Sequence, residues 1–222
     1  MKIIGIGQAR KNSGRCKNKM LRSYADTSLV EIAVKRIANL TALDKVFFGA
    51  YDDEILDIAK KHLENEKIIK RTKEMANTND MILSYSWIKD IDFDYCIWIN
   101  SCHAHLSAET IDFAVDKFRN GKYKSMTSVI KKYNWFYDQN GNPINNLDPK
   151  TQVTTQQAEF LYQTTNAFHI FNKEHFFSEE TYWNNEKNDP GLFVLNEIEA
   201  LDVDNEEDFI ISESVYKNLK VD

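Results

Sequence analysis

Apolar positions recur along the first half of the chain in two alternating rhythms. Residues 2–7 form a short, nearly continuous apolar run of the kind a buried strand shows, and the chain turns polar and basic over residues 10–19 directly after it. Ser28 followed by Glu31 is a capping-box pattern, and Leu29, Ile32, Ala33, Ile37 and Leu40 continue at helical spacing, which predicts a first helix. The alternation goes on with a strand over 45–49, a helix over 53–63, a short strand over 67–69 and a helix over 79–88. Residues 95–99, YCIWI, are almost all apolar, as a strand buried on both faces is, and Ser107 is placed to cap a helix carrying Ile111, Ala114, Val115 and Phe118. Up to residue 120 these are βαβ units, and they predict an α/β fold with a doubly wound, mostly parallel sheet.

Beyond residue 125 the rhythm changes. Residues 126–130 predict a strand and Asn140-Gly141 a hairpin turn, and this inserted region is expected to leave the main sheet. Residues 167–171 and 199–203 read as returning strands, after which Asn205 caps a last helix that runs to Leu219. Only 7 Gly and 3 Pro are present and no fixed-period repeat occurs, so residues 1–222 read as a single domain.

Charge narrows the function. With 28 basic against 34 acidic residues the net charge is −6, which argues against a dedicated nucleic-acid binder, because phosphate neutralisation needs a basic face. No apolar run approaches the roughly 18 residues of a membrane span, and the opening MKIIGIGQAR lacks the features of a secretion signal, so a cytoplasmic protein is expected. Cys16, Cys96 and Cys102 are odd in number and show no CxxC spacing, hence reduced thiols.

Two segments offer chemistry. The loop with Arg10, Lys11, Asn12, Ser13, Gly14, Arg15, Lys17 and Lys19 presents cations and backbone N–H donors beside a strand end, which suits a polyphosphate, although it lacks the Walker pattern; a merely solvated charged loop is the alternative. Asp202 and Asp204 lie at period 2 on one face of a predicted strand end, where two hard oxygen ligands can hold Mg²⁺ against phosphates. The alternative is an acidic cluster favoured by a helix N-terminus, and Asp208 is read that way. Cys102, His103 and His105 follow the central strand; with no fourth ligand in register a metal site is disfavoured, and contact of His103 or His105 with a substrate stands beside the plain reading of polar loop residues. His169, within a predicted strand, reads as a hydrogen-bonded core or cleft residue rather than a general base. Tyr133, Trp135, Phe136 and Tyr137, beside Lys131 and Lys132, can stack bases or form an interface between two copies, and the negative net charge favours the interface.

The pattern QARxxSxRxxxKxL over residues 8–21, the stretch YDDEI over 51–55 and the late LDVDNEEDF over 201–209 together resemble the acylneuraminate cytidylyltransferase family, whose members and ketodeoxyoctonate-activating relatives transfer CMP from CTP to an acceptor. The resemblance covers nearly the whole chain. It implies a Rossmann-like nucleotidyltransferase fold with a dimerisation arm over 131–165, a homodimer, and a role in building surface polysaccharide precursors. It implies that Arg10 and Lys19 hold the triphosphate, that Ser13 and Arg15 line the same loop, and that Asp202 and Asp204 ligate Mg²⁺ near the α-phosphate. The partners implied are CTP and a small-molecule acceptor, a sugar acid or related surface-glycan precursor, with Asn100, His103, His105 and Asn166 as the candidate contacts. Departures are local. Asn100 stands where sialate-activating relatives carry glutamine and others an acidic residue, Met20 replaces an asparagine, and Gln163, Thr164 and Thr165 stand where an arginine meets the acceptor carboxylate. These departures keep open a phosphorylated acceptor, giving a CDP-alcohol or activated sugar phosphate, or a silent nucleotide-binding relative.

Overall fold

A computed structural model describes residues 1–145, 150 and 158–219 of the chain. Nine strands and seven helices follow in the order β1 (Ile3–Ala9), β2 (Ser23–Tyr24), β3 (Thr27–Ser28), α1 (Leu29–Ala38), β4 (Lys45–Ala50), α2 (Asp53–Ala59), β5 (Ile68–Lys70), α3 (Lys73–Asn77), α4 (Met81–Tyr85), β6 (Tyr95–Asn100), α5 (Ala108–Asn120), β7 (Met126–Lys132), β8 (Leu161–Asn172), α6 (Lys173–Glu179), β9 (Gly191–Val194) and α7 (Glu206–Leu219). Seven strands make one sheet in the order β5-β4-β1-β6-β8-β7-β9. All run parallel except β8, which pairs antiparallel with β6 and β7.

Helices cover both faces because the strands carry apolar side chains on both. On one face α1, α2, α5 and α7 pack Val34, Ile37, Ile55, Ile111, Val115 and Phe209 against the sheet, and on the other Tyr85, Phe93 and Phe176 close over Ile4, Ile6, Cys96 and Phe171. Ser28 caps α1 by accepting from the Glu31 N–H, and Ser107 caps α5 by accepting from the Thr110 N–H, as the sequence predicts. The chain leaves β1 toward β4 and β5 and later returns to the other side of β1 as β6. The sheet order therefore reverses at β1 and β6, and a crevice opens beyond their C-terminal ends, where Gln8 pairs in register with Asn100.

Three expectations are corrected. The helix predicted over 79–88 is the short α4 followed by a 3-10 turn, Ser86–Ile88, with the separate α3 before it. Residues 126–130 do not leave the main sheet, since β7 pairs with both β8 and β9; among the described residues, 133–145, with the Asn140-Gly141 turn and Tyr137 bridged to Pro143, stand outside it. No strand forms over 199–203: turns occupy 197–200 and the extended residues after them join no sheet. The strand at that edge is β9, which the hydrophobic pattern does not reveal. The arm expected over 131–165 falls in part outside the described residues. Among those described, no helix is long and apolar enough to cross a membrane.

Candidate active site

The crevice holds a cleft of about 560 Å³, within the range of small-ligand sites. One wall is the loop after β1, which contributes Arg10, Ser13, Gly14, Arg15 and Lys19. Lys19 is nearly buried and donates from Nζ to the Val203 carbonyl at 2.6 Å, while its Nζ lies 3.6 Å from the Asp204 carboxylate. Burial pulls the ammonium down, but the Cys102 side chain and the Asp204 and Asp202 carboxylates outweigh it and hold Lys19 above its ordinary value. Arg15 reaches Asp204 at 3.0 Å from the exposed side. The opposite wall therefore meets the cationic loop with carboxylates, although not from a strand.

Residues 202–204 are held by two backbone ties: the Val203 N–H donates to the Cys102 carbonyl at 3.2 Å, and its own carbonyl receives Lys19. Asp204 lines the cleft and Asp202 adjoins it, turned toward the buried His103 ring at 3.8 Å. Asp202 Oδ1 is buried and has no hydrogen-bond partner. Desolvation, with the like charge of Asp204, lifts the Asp202 carboxyl to about 6. Asp208 belongs to the helix cap, its Oδ2 accepting from the N–H groups of Asp204 and Asn205 while Asn205 Oδ1 accepts from the Asp208 N–H.

At the end of β6, Asn100 is fixed on both ends of its amide. Oδ1 accepts from the Cys102 N–H at 3.0 Å and Nδ2 donates to the Asn166 carbonyl at 3.1 Å, which leaves one lone pair and one N–H for a ligand. Asn166 adopts φ 55° to present that carbonyl. The loop after Asn100 is pinned from below by Arg36, whose guanidinium donates to the carbonyls of Asn100, His103 and Leu106.

Arg10, Ser13, Arg15, Lys19, Asn100 and Asp204 thus line one cleft, and Asp202 and Asn166 adjoin it. The two histidines expected to meet a substrate do not line it. His103 is fully buried, its Nε2 hydrogen-bonded to the Thr165 carbonyl at 3.1 Å, and burial pulls it down to about 3, so it is a neutral packing residue. His105 points to α7, where Nε2 meets the Ser212 carbonyl at 3.1 Å. Cys102 does line the cleft, with a thiol that burial pushes up to about 11.

The sequence reading passed over the far end of the cleft. Arg71, one residue after β5, is buried and donates to Met75 and Ser84 carbonyls and to the Ser84 hydroxyl; burial pulls it down to about 10, so it stays a cation at neutral pH. Gly49 on β4 lies under Arg71 and Trp87, with room for no side chain: a Cβ there would meet both at 2.9–3.0 Å. The position of Arg71 at a C-terminal strand end was the available signal.

A cationic loop at the switch point of a mostly parallel sheet, faced by carboxylates, is the apparatus of an α/β protein that handles nucleotides. Residues 4–214 match the model of the cytidylyltransferase family, and the chain belongs to that family. Post-translational flagellin modification protein B of Campylobacter coli is 24% identical over 222 residues, covering 94% of this chain and 92% of that protein. The structure of CMP:2-keto-3-deoxy-manno-octonic acid synthetase complexed with CTP is similar in fold, with a TM-score of 0.69 at 9% identity over 99% of this chain and 100% of that one. So is 4-diphosphocytidyl-2C-methyl-D-erythritol synthase of Anaerococcus prevotii, with a TM-score of 0.63 at 14% identity, covering 97% and 96%.

Proposed function

We infer that this cytidylyltransferase transfers CMP from CTP to a sugar acid and releases pyrophosphate. The observation that carries the reading is the meeting of Arg10, Ser13, Arg15 and Lys19 with Asp204 and Asn100 around one cleft. The octonic acid in the name of the synthetase of the same fold supports an acceptor of this kind.

Nucleotidyl transfer needs an acceptor oxygen in line with the α-phosphorus while charge grows on the departing pyrophosphate. Arg10 and Lys19 stabilise that charge, with Ser13 and the N–H groups of the loop orienting the phosphates. Asn100, locked by Cys102 and Asn166, turns its free N–H and lone pair to the acceptor. A divalent cation fits the opposite wall: Asp202 Oδ1 lacks a partner and its carboxyl is desolvated beside Asp204. Asp202 and Asp204 would hold Mg²⁺. Among the described residues no group of three or more His, Cys, Asp or Glu comes together to hold a metal, so an ion on these two carboxylates would have to take its remaining ligands from phosphates and water. When bound, the ion supplies neutralisation of α-phosphate charge.

The reading includes a homodimer. Tyr133, Phe160 and Tyr162 are exposed, with Phe160 in ring contact with both tyrosines, and Lys131 lies 4.6 Å over Phe160, a surface suited to a second copy. Light scattering at micromolar concentration should give twice the chain mass; a species of 25.9 kDa overturns it.

The deciding experiment is pyrophosphate release with Mg²⁺, each ribonucleoside triphosphate, and a panel of sugar acids and phosphorylated polyols. CTP-dependent release with a sugar acid is expected. Release only with a phosphorylated acceptor would move the chain to a diphosphate-forming reaction, and CTP binding without turnover would make it a silent relative.

A further inference from the structure

The acceptor end of the cleft differs in kind from the phosphate end. Trp98, Asn100 and Ser101 line it and none carries a formal charge, while Cys102, a thiol in contact with Lys19, marks where the charged wall begins. Trp98 sits two residues before Asn100 on β6, hence on the same face and one pleat deeper. Its register partners are Ile6 on β1 and His169 on β8. The indole is stacked on the His169 ring at 5.3 Å and 18°, and the imidazole is in turn hydrogen-bonded through Nδ1 to the Thr127 hydroxyl at 2.8 Å. Tyr182 and Trp183 close on His169 from beyond, at 5.1 and 5.2 Å. The Trp98 N–H has no hydrogen-bond partner, so the stack and not a polar tie sets the attitude of the ring.

We propose that Trp98, braced by His169 and Thr127, is the platform on which the ring of the acceptor lies, and that this aromatic face is the specificity determinant for the acceptor. The proposal rests on the sugar-acid reading above. An indole offers a large rigid apolar face, and the C–H face of a sugar ring buries against it without any charge. That suits the part of the cleft where Trp98, Asn100 and Ser101 bring no charge, so that the ring of the acceptor has a face to lie on. On the same reading the nucleotide extends from the phosphate loop toward Arg71 and leaves the Trp98 side of the cleft to the acceptor. Arg71 follows β5, three strand spacings from β6 and so about 14 Å away across the sheet, and the phosphate loop lies between them. His169 suits the bracing role because burial pulls it down to about 4, leaving a neutral ring at working pH.

The test separates acceptor from nucleotide. Calorimetry gives the Kd for CTP without acceptor, and pyrophosphate release gives KM and kcat for the sugar acid that wild type uses. Trp98→Ala should raise acceptor KM about tenfold or more with the CTP Kd within about twofold, while Trp98→Phe stays within about threefold of wild type. His169→Leu, which takes away the brace, should raise acceptor KM in the same direction with CTP affinity kept. If Trp98→Ala does not fold, Trp98→Leu, apolar but without an aromatic face, takes its place. Retained CTP affinity certifies the fold of each variant. An unchanged acceptor KM, a phenylalanine variant as impaired as alanine, or CTP Kd and acceptor KM rising together each overturns the platform while leaving the reaction intact. A wild-type protein that uses no sugar acid overturns the functional reading itself, and the platform with it.

Discussion

Arg36 never reaches the cleft, yet its guanidinium serves the carbonyls of Asn100, His103 and Leu106, and so fixes the loop on which Asn100 depends. Arg36→Met would leave those buried acceptors unserved. The expected loss is about 3 kcal/mol in urea unfolding, with acceptor KM raised more than the CTP Kd. Asp202 behaves in the opposite way. Its carboxylate is desolvated and Oδ1 lacks a partner, so Asp202→Asn should leave the melting temperature unchanged or raise it by a few degrees, while turnover falls by about 10³ or more. Wild-type-like turnover in that variant removes Asp202 from the chemistry. At this scale the sequence was legible where charge density itself was the signal, as in Arg10, Ser13, Arg15 and Lys19. It was not legible where burial decided, because nothing local to His103 or His105 says whether an imidazole faces a cleft, a strand carbonyl or a helix. Arg71 was hidden for the same reason: its value comes from β5 ending beside β4, not from its neighbours in sequence.

Elements were legible where period and cap agreed. Ser28 and Ser107 cap α1 and α5 as their patterns predict, and β1, β4 and β6 are where apolar runs stand. Extended residues without a sheet partner defeated the reading: LDVD is apolar enough for a strand, but the Val203 N–H is taken by Cys102 and its carbonyl by Lys19, and no ladder follows. Conversely β9 has four residues at the sheet edge with Leu192 and Val194 exposed, too short and too open to show a pattern. Two predictions belong here. Asp208→Ala strips the acceptor from the Asp204 and Asn205 N–H groups and should cost about 1 kcal/mol, seen as a drop of roughly 2–4 °C in the thermal melt. Gly49→Ala drives a methyl into Trp87 and Arg71 and should weaken CTP binding about threefold to tenfold by calorimetry, with the phosphate loop unaltered. Unchanged CTP affinity would take Arg71 out of the nucleotide site.

Stability against acid is a property of the whole molecule. His103 and His169 are both buried, and burial pulls them down to about 3 and about 4 from an ordinary value of 6.5. The unfolded chain therefore binds protons that the native one refuses. Stability from this source is complete above pH 6.5 and is lost as pH falls toward the folded values, by on the order of 3 kcal/mol for each histidine by pH 4. The midpoint of urea unfolding should fall between pH 6.5 and 4, less than the two histidines alone would give because Asp202, lifted to about 6, takes up a proton in the folded state over the same window, and His169→Phe, which keeps an aromatic ring against Trp98, should reduce the fall by more than half. A flat profile would mean that one or both rings accept a proton in the folded state.

The sheet order β5-β4-β1-β6-β8-β7-β9 also sets a timetable. A chain emerging from the ribosome folds from its N-terminus and owns the phosphate-binding loop almost at once, yet Asn166, Asp202 and Asp204 are made last. If the proposed reaction holds, a nascent fragment can present cations to a nucleotide but cannot enclose it, so capture of CTP has to wait until residues 166–204 have been made and have joined the loop after β1.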